Sequence, residues 1–166
     1  PNPVGLPSAA ALDRTRWGVP DDARLVTFLL DHHSTLQRKN PLGAIAVHRR
    51  AFAAQDGVTL LIKTLNADGC PGAHRQLLDA AAGRPDVRIV DAAISGPERD
   101  ALIAGSDAYL SLHRSEGFGN TIAEAMAASR PVVATAFGGH LDVFGEHNGF
   151  PVSWTPSAVG PAAPPY

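Results

Sequence analysis

The chain is poor in cysteine and in long apolar runs, and each shortage excludes a class of protein. Its 166 residues include a single cysteine, Cys70, which excludes a disulfide framework and a cysteine-rich metal site. The reducing cytoplasm is therefore the expected compartment. No apolar run is long enough to span a membrane. The formal net charge of -2 offers no basic surface to attract nucleic acid.

Histidines are present, but their spacing is not that of a metal site. The seven histidines are scattered, and neither HExxH nor a comparable ligand pattern occurs. We therefore expect no metal and no cofactor. Hydrophobic residues make up 45% of the chain, which is enough for the core of one ordinary domain and argues against disorder.

Apolar runs alternate with helical segments along most of the chain. Strands are predicted at Arg24–Leu30, Val58–Thr64, Val87–Val90, Ala108–Leu112, 131–136 and 149–154. Helices are predicted at 41–53, 73–82, 96–105 and 121–128, with Asn40 as an N-cap and Ser95 and Glu98 as a capping box. This alternation predicts an α/β fold with a doubly wound parallel sheet of about six strands and helices on both faces.

Proline and glycine are concentrated at the two ends of the chain. We interpret residues 1–23 as a linker with a short leading helix between Ser8 and Trp17, and residues 154–166 as a tail. Residues 24–153 form the predicted Rossmann-like domain. Because ligands of such sheets bind at the carboxyl ends of the strands, residues 31–34 and 113–119 should lie on the functional rim. Lys63, Asp91 and residues 136–139 should lie there too.

A glycine turn follows the predicted fourth strand and begins a helix. Its backbone N–H groups can face an anion, and Gly117 and Gly119 allow positive φ angles and the close approach of a ligand. The turn is no dinucleotide fingerprint, because Ile122 stands where a third small residue is needed, and no P-loop lysine pattern occurs.

Structural roles remain open for the polar residues of this turn. Thr121 and Glu124 have the spacing of a capping box, and Asn120 could be a plain N-cap. Glu116 could be a solvated loop acid. His32, His33 and His140 lie near the rim, where a hydrogen-bonded structural role is the commoner one for histidine.

Only two residues of the chain are lysines, although fourteen are lysine or arginine. Lys39 and Lys63 both fall near the predicted rim, and a lysine ammonium is a compact charge suited to phosphate. A surface role remains open for Lys63. Arg114 could reach a phosphate or merely solvate its loop.

The segment SEGFGNTIAEAMA (115–127) resembles the E-x7-E segment of retaining glycosyltransferases with two Rossmann-like domains, the GT-B fold. The chain is most similar to the GT4-like group, also called group 1. Four blocks, in the order of that family, carry the resemblance from about Leu25 to Val152: LLDHHSTLQRKNPLGAIAVHRRAF, LIKTLNADG, SDAYLSLHRSEGFGNTIAEAMA and RPVVATAFGGHLDVF.

The resemblance implies a donor-binding, C-terminal domain that recognises a nucleotide diphosphate sugar. Glu124 would accept hydrogen bonds from the ribose hydroxyls, and Glu116 would be the catalytic residue beside the transferred sugar. Lys39, with Arg38 as neighbour, would bind the diphosphate. The full set of expected donor-binding residues is Arg38, Lys39, Lys63, Gly117, Phe118, Gly119, Asn120, Thr121, Glu124, Gly138 and Gly139.

The resemblance also implies a reaction and partners. The parent enzyme would transfer the sugar with retention of configuration, without a metal ion. An N-terminal acceptor domain would be missing from this chain, which would be inactive alone, and peripheral association of the parent enzyme with a membrane is compatible with the family. Two alternatives stay open: a nucleotide-sugar epimerase domain and a nucleotide-binding module without catalysis.

Overall fold

Six parallel strands form one sheet in the computed structural model, which describes residues 11–158. In spatial order the strands are β3, β2, β1, β4, β5 and β6, and every neighbouring pair is parallel. Their bounds are β1 (Arg24–Asp31), β2 (Val58–Leu65), β3 (Val87–Asp91), β4 (Ala108–Ser111), β5 (Val132–Thr135) and β6 (Phe150–Val152). The predicted doubly wound sheet is confirmed.

Five α-helices connect these strands in the described residues: α1 (Leu36–Lys39), α2 (Pro41–Ala51), α3 (Pro71–Ala81), α4 (Gly96–Ala104) and α5 (Asn120–Ala127). Short 3-10 turns occupy Ala67–Gly69 and Gly139–Asp142. The predicted capping box of Ser95 and Glu98 is confirmed at the start of α4. Asn40 does not cap α2 through its side chain, because its backbone is left-handed (φ 56°) and its amide binds elsewhere. None of the described helices has the length and hydropathy needed to cross a bilayer.

Hydrophobic side chains cover both faces of the sheet, as the apolar strands predict. On one face Leu60 and Ile62 of β2 pack in a cluster with Ile45 of α2 and Leu77 of α3. On the opposite face Leu61 of the same strand joins a second cluster. That cluster also contains Leu25 and Leu102. A third hydrophobic cluster joins β4, α5 and β5 and contains Tyr109 and Ile122. Helices therefore lie on both sides, which confirms that part of the prediction.

The segment before β1 differs from its prediction. Within the described part, residues 14–18 form a turn rather than the end of a helix: Trp17 N donates to Arg14 O at 3.1 Å. Gly18 is left-handed (φ 62°), and Trp17 and Val19 are buried against the core of the domain. Packing therefore outweighs local helix propensity, and residues 17–23 belong to the domain rather than to a linker. Ser8, the remainder of the predicted linker and tail residues 159–166 lie outside the described residues.

Strand order reverses at β1, which lies between β2 and β4. In open α/β sheets the crevice at such a reversal, beyond the carboxyl ends of the strands, is the usual ligand site. The side chain of Asp107 joins the starts of β1 and β4: its Oδ2 accepts from Leu25 N at 2.8 Å. The loops that leave the other ends of these two strands face each other and form the rim described next.

Candidate functional site

Hydrogen bonds hold the loop after β1 against the loop after β4. Asn40 Nδ2 donates to Leu112 O at 2.9 Å. Arg114 donates twice, from its backbone N to Arg38 O at 2.8 Å and from Nη1 to Gln37 O at 3.0 Å. These contacts place the two predicted basic residues of α1 directly beside the glycine turn. The guanidinium of Arg114 thus has a structural role at this junction, because it binds the Gln37 carbonyl of α1.

Two cations converge on one carboxylate at this junction. Lys39 Nζ donates to Glu116 Oε2, and Arg38 Nη1 lies 3.8 Å from Oε1 of the same carboxylate. Arg38 is held further by donating to Ser34 Oγ at 2.6 Å and to Ser115 O at 3.3 Å. The Lys39 and Glu116 side chains are mostly buried, with exposed fractions of 20% and 16%. Glu116 is therefore an ion-paired acid, and the solvated-acid alternative does not describe it.

The charge state of Glu116 follows from these neighbours. Burial alone would raise its pKa, but the hydrogen bond from Lys39 and the charges of Lys39 and Arg38 together hold the pKa of Glu116 below its ordinary value. His113 adds a smaller effect in the same direction. Glu116 is thus ionised at neutral pH, and the cations of Lys39 and Arg38 lie beside its carboxylate.

Glycines shape the turn that follows. Gly119 precedes α5 in the left-handed conformation (φ 73°), and no side chain caps the helix there. Gly117 is exposed and lacks the positive φ that the sequence suggested; a Cβ added to it would meet no atom within 4 Å. Gly138 (φ 124°) and Gly139 lie against this turn so closely that an added Cβ would stand 2.6 Å from Glu116 O or Gly117 O, respectively. The loops after β4 and β5 are therefore in backbone contact.

Two buried histidines lie beneath the turn. His113 Nε2 contacts Phe137 O at 2.9 Å and its Nδ1 contacts Ser111 Oγ at 3.0 Å, while His140 Nε2 contacts Thr135 O at 3.0 Å. The rings of the two histidines meet edge to face, with centroids 4.8 Å apart. Burial lowers the pKa of both histidines, so both are neutral near neutral pH. They support the loop after β5. The sequence placed His113 on the functional rim but gave it no role, because nothing in its local pattern distinguishes it.

Glu124 faces α4. Its Oε1 lies 3.1 Å from Arg99 Nη2, and its Oε2 is buried without a hydrogen-bond partner among the described residues. The capping alternative for Thr121 and Glu124 is wrong, because α5 begins at Asn120 with Gly119 in the cap position. The same finding makes Asn120 the first helical residue and not the N-cap. Burial raises the pKa of Glu124, although the charge of Arg99 opposes this.

Lys63 occupies a separate part of the rim. It is 7% exposed at the end of β2, two strands from the loop of Glu116. Burial lowers the pKa of Lys63, and the charges of Asp91 and Asp31 only partly offset this. Asp31 is itself engaged, since it accepts from His33 N at 2.9 Å and from Asn66 Nδ2 at 2.8 Å. The surface-lysine alternative is wrong, because the side chain is buried.

The remaining predicted residues lie around the same turn. Phe118 and Thr121 are half-buried, whereas Asn120 is exposed. A cavity of about 630 Å³ is lined by residues of α1, of the loops after β4 and β5 and of residues 152–158, among them Arg38, His113, Phe137 and Trp154. Among residues 11–158, no group of three or more histidine, cysteine, aspartate or glutamate side chains is arranged to hold a metal ion.

A family comparison matches residues 45–159, most of the chain, to the family described as "Glycosyl transferases group 1". No curated protein sequence matches the chain. Several solved structures are similar in fold. The HepE protein of Anabaena, in complex with UDP-glucose, superposes with a TM-score of 0.63 at 22% identity; the match covers 84% of this chain and 37% of HepE.

Two further structures extend this likeness. The C-terminal domain of LpcC from Francisella tularensis, a glycosyl transferase group 1 family protein, gives a TM-score of 0.59 at 18% identity, with 90% of this chain and 77% of that one covered. The GtfA/B complex gives 0.62 at 19% identity, covering 86% and 27%. Because these identities are low, the likeness establishes the fold alone. The chain spans about a quarter to two fifths of the length of the first structures that it matches.

Proposed function

Because the chain belongs to the group 1 glycosyl transferase family, we propose that it binds the donor of a glycosyltransferase, a nucleotide diphosphate sugar. The parent enzyme transfers that sugar to an acceptor with retention of configuration. In this proposal Lys39 and Arg38 bind the diphosphate, and Glu116, as a carboxylate, is the catalytic residue that contacts the transferred sugar. Glu124 accepts hydrogen bonds from the ribose. HepE, a structural neighbour, is a protein seen with UDP-glucose, which supports a donor of this class.

One observation carries the proposal: the convergence of Lys39, Arg38 and Glu116 at the strand-order reversal between β1 and β4. Two mostly buried cations can neutralise the negative charge that develops on the leaving diphosphate during transfer. The uncapped N-terminus of α5 and the open face of Gly117 lie beside them. An anionic ligand thus has side-chain charge, backbone donors and space in one place.

The structures that the chain matches are much longer than the chain, which suggests a partner domain. Since the chain covers only 27–37% of the first structures that it matches, we propose that transfer requires an acceptor-binding domain supplied from outside these residues. The 166-residue chain then binds the donor but does not transfer sugar. We further propose that the parent enzyme works without a metal ion in the cytoplasm and contacts a membrane only peripherally, if its acceptor is membrane-bound.

A ligand screen tests the proposal. Thermal unfolding of the chain is followed with UDP, GDP, ADP and TDP and with a sugar conjugate of each, because a ligand that binds the native state raises the melting temperature by mass action. We expect one base to stabilise the chain, and its sugar conjugate to do so at least as strongly. If no nucleoside diphosphate raises the melting temperature, the donor proposal is wrong.

Product analysis tests the reaction class. The parent enzyme is incubated with the donor identified by the screen, and the products are separated into transferred sugar, epimerised donor and unchanged donor. Transfer with the original anomeric configuration is expected. Epimerised donor without transfer would instead identify an isomerase, and robust transfer by the 166-residue chain alone would contradict the need for an acceptor domain.

A further inference from the structure

Arg99 lies outside the sequence segments from which the site was predicted. It lies in the first turn of α4, directly after the capping box, and its backbone N donates to Ser95 O at 3.0 Å. Glu98 Oε2 accepts from both Ser95 N, at 2.7 Å, and Ser95 Oγ, and its other oxygen binds Arg16. The start of α4 is therefore fixed on two sides. The Arg99 side chain projects from this fixed turn toward α5.

The contact between Arg99 and Glu124 leaves two atoms unsatisfied. Arg99 Nη2 lies 3.1 Å from Glu124 Oε1 and also donates to Asp100 Oδ1 at 3.1 Å. Arg99 Nε and Glu124 Oε2 are both buried without a partner among residues 11–158. One of these atoms is a donor and the other is an acceptor. A hydroxyl group can donate to such an acceptor and accept from such a donor.

We propose that Arg99 is the positioning residue for ribose recognition: it holds one carboxylate oxygen of Glu124 and leaves the other oxygen to accept a hydrogen bond from a ribose hydroxyl. The proposal rests on the donor-binding function proposed above. It adds a residue on α4 to a site otherwise built from α1, α5 and the loops after β4 and β5. Arg99 acts through Glu124 and is not itself a catalytic residue.

Electrostatics give this role a second observable. Burial raises the pKa of Glu124, the Arg99 charge lowers it and Asp100 raises it again. The ionised carboxylate carries only acceptors, whereas protonation places an O–H donor on one of its oxygens and weakens its acceptance of a hydrogen bond from a ribose hydroxyl. Ribose-dependent binding is therefore present above the pKa of Glu124 and is lost as the pH falls through it. Removal of the Arg99 charge moves this loss to higher pH, because burial and the charge of Asp100 remain and both raise the pKa of Glu124.

The experiment compares ribonucleotide with dideoxynucleotide binding. The 166-residue chain is titrated by calorimetry with whichever of UDP, GDP or ADP binds most tightly, and with the 2′,3′-dideoxy analogue of that ligand, between about pH 5 and 8. The variants are Arg99→Gln, Arg99→Lys and Glu124→Gln. Arg16→Gln is the matched control, because Arg16 contacts the same turn of α4 but not Glu124.

We expect Arg99→Gln to weaken the ribonucleotide about tenfold at neutral pH and the dideoxy analogue less than about twofold. The acid loss of ribonucleotide binding should shift to higher pH in this variant. Arg99→Lys should recover most of the affinity, since it keeps the charge. Glu124→Gln should lose the ribonucleotide preference altogether, and adding Arg99→Gln to it should cost nothing further.

The outcomes distinguish a failure of donor binding from a failure of the role of Arg99. If the wild-type chain binds no nucleoside diphosphate, the donor-binding function itself fails. If the wild type binds but Arg99→Gln loses both ligands equally or neither, only the role of Arg99 is overturned. If Arg99→Gln does not fold, Arg99→Lys is the deciding variant. The role of Arg99 is supported if ribonucleotide binding is lost at the same pH as in the wild type and the affinity is intermediate. Equal weakening of both ligands overturns the role.

Discussion

The Lys39 ammonium and the Glu116 carboxylate form a direct ion pair, although 77 positions of sequence separate them. In the proposed function these groups serve different parts of the donor, Lys39 the diphosphate and Glu116 the sugar. The carboxylate therefore holds the cation that the diphosphate needs. When a donor binds, its diphosphate must replace Glu116 as the partner of Lys39. The released carboxylate can then turn toward the sugar.

This exchange predicts the effect of Glu116→Gln on the free diphosphate. The neutral amide no longer competes for Lys39, so the affinity for a nucleoside diphosphate should rise about threefold to tenfold. Calorimetry with the diphosphate that emerges from the ligand screen measures it, and Glu146→Gln, an exposed acid, serves as the control. Weaker binding of the diphosphate by Glu116→Gln would show that the carboxylate assists binding rather than competing with it.

Lys39→Met should separate phosphate binding from nucleoside binding. A charge-assisted hydrogen bond contributes about 1.5–3 kcal/mol, so the diphosphate should lose roughly tenfold to a hundredfold in affinity while the nucleoside loses little. Both ligands are titrated into the variant and into Arg50→Met, which removes an exposed positive charge from α2. Equal losses for diphosphate and nucleoside would exclude Lys39 from the phosphate contact.

Gly138→Ala should destabilise the chain and disturb the site together. Its φ of 124° is unfavourable for an L-residue, and the added Cβ would stand 2.6 Å from Glu116 O. We expect a loss of about 1–3 kcal/mol in the free energy of unfolding, with weaker donor binding. Urea unfolding measures the stability. Gly72→Ala on α3 is the control, since its Cβ meets no atom within 4 Å; wild-type stability of Gly138→Ala would contradict the contact.

Asp86→Asn should reveal a stabilising cluster remote from the site. Hydrogen bonds from Arg84, followed by one from His48, lower the pKa of Asp86 to about 2 from an ordinary 3.8, which corresponds to about 2.5 kcal/mol at neutral pH. This contribution is present above the unfolded-state pKa and is lost as the pH falls through about 2.

The measurement for Asp86 is urea unfolding at neutral and acidic pH. The variant should be less stable than wild type at neutral pH, and the difference should shrink as the solution is acidified. Asp22→Asn, which changes an exposed acid, should match wild type throughout. A stability difference that does not depend on pH would mean that packing, and not the charge of Asp86, is responsible.

Much of the fold was predictable because its signals are local. The strand runs are apolar throughout, as in strands covered on both faces, and Ser95 with Glu98 has the spacing of a capping box. The structure confirms both predictions. The turn at 14–18 was not predictable in this way. Burial of Trp17 against β1 and β2 decides its conformation, and that contact joins residues distant in sequence.

The candidate site was predictable in position but not in its pairing. The rule that ligands bind at the carboxyl ends of parallel strands placed the loops after β1 and β4 on one rim. No local pattern, however, shows that Lys39 binds Glu116 or that Arg99 reaches Glu124. The amide of Asn40 binds Leu112 O instead of capping α2 because the chain turns left-handed at that residue. Long-range contacts of single side chains are set by tertiary packing, which a periodicity in the sequence does not encode.

The position of β1 between β2 and β4 has a consequence for how the protein is made. Strands β1, β2 and β3 can pair as soon as they leave the ribosome, whereas the pairing of β1 with β4 joins Val26 to Ala108 and must wait for a much longer loop to close. The cations of the site are synthesised long before β4, whereas Glu116 and Glu124 follow directly after it. A nascent chain therefore exposes Lys39 without its acid, and the site comes into existence in one late step.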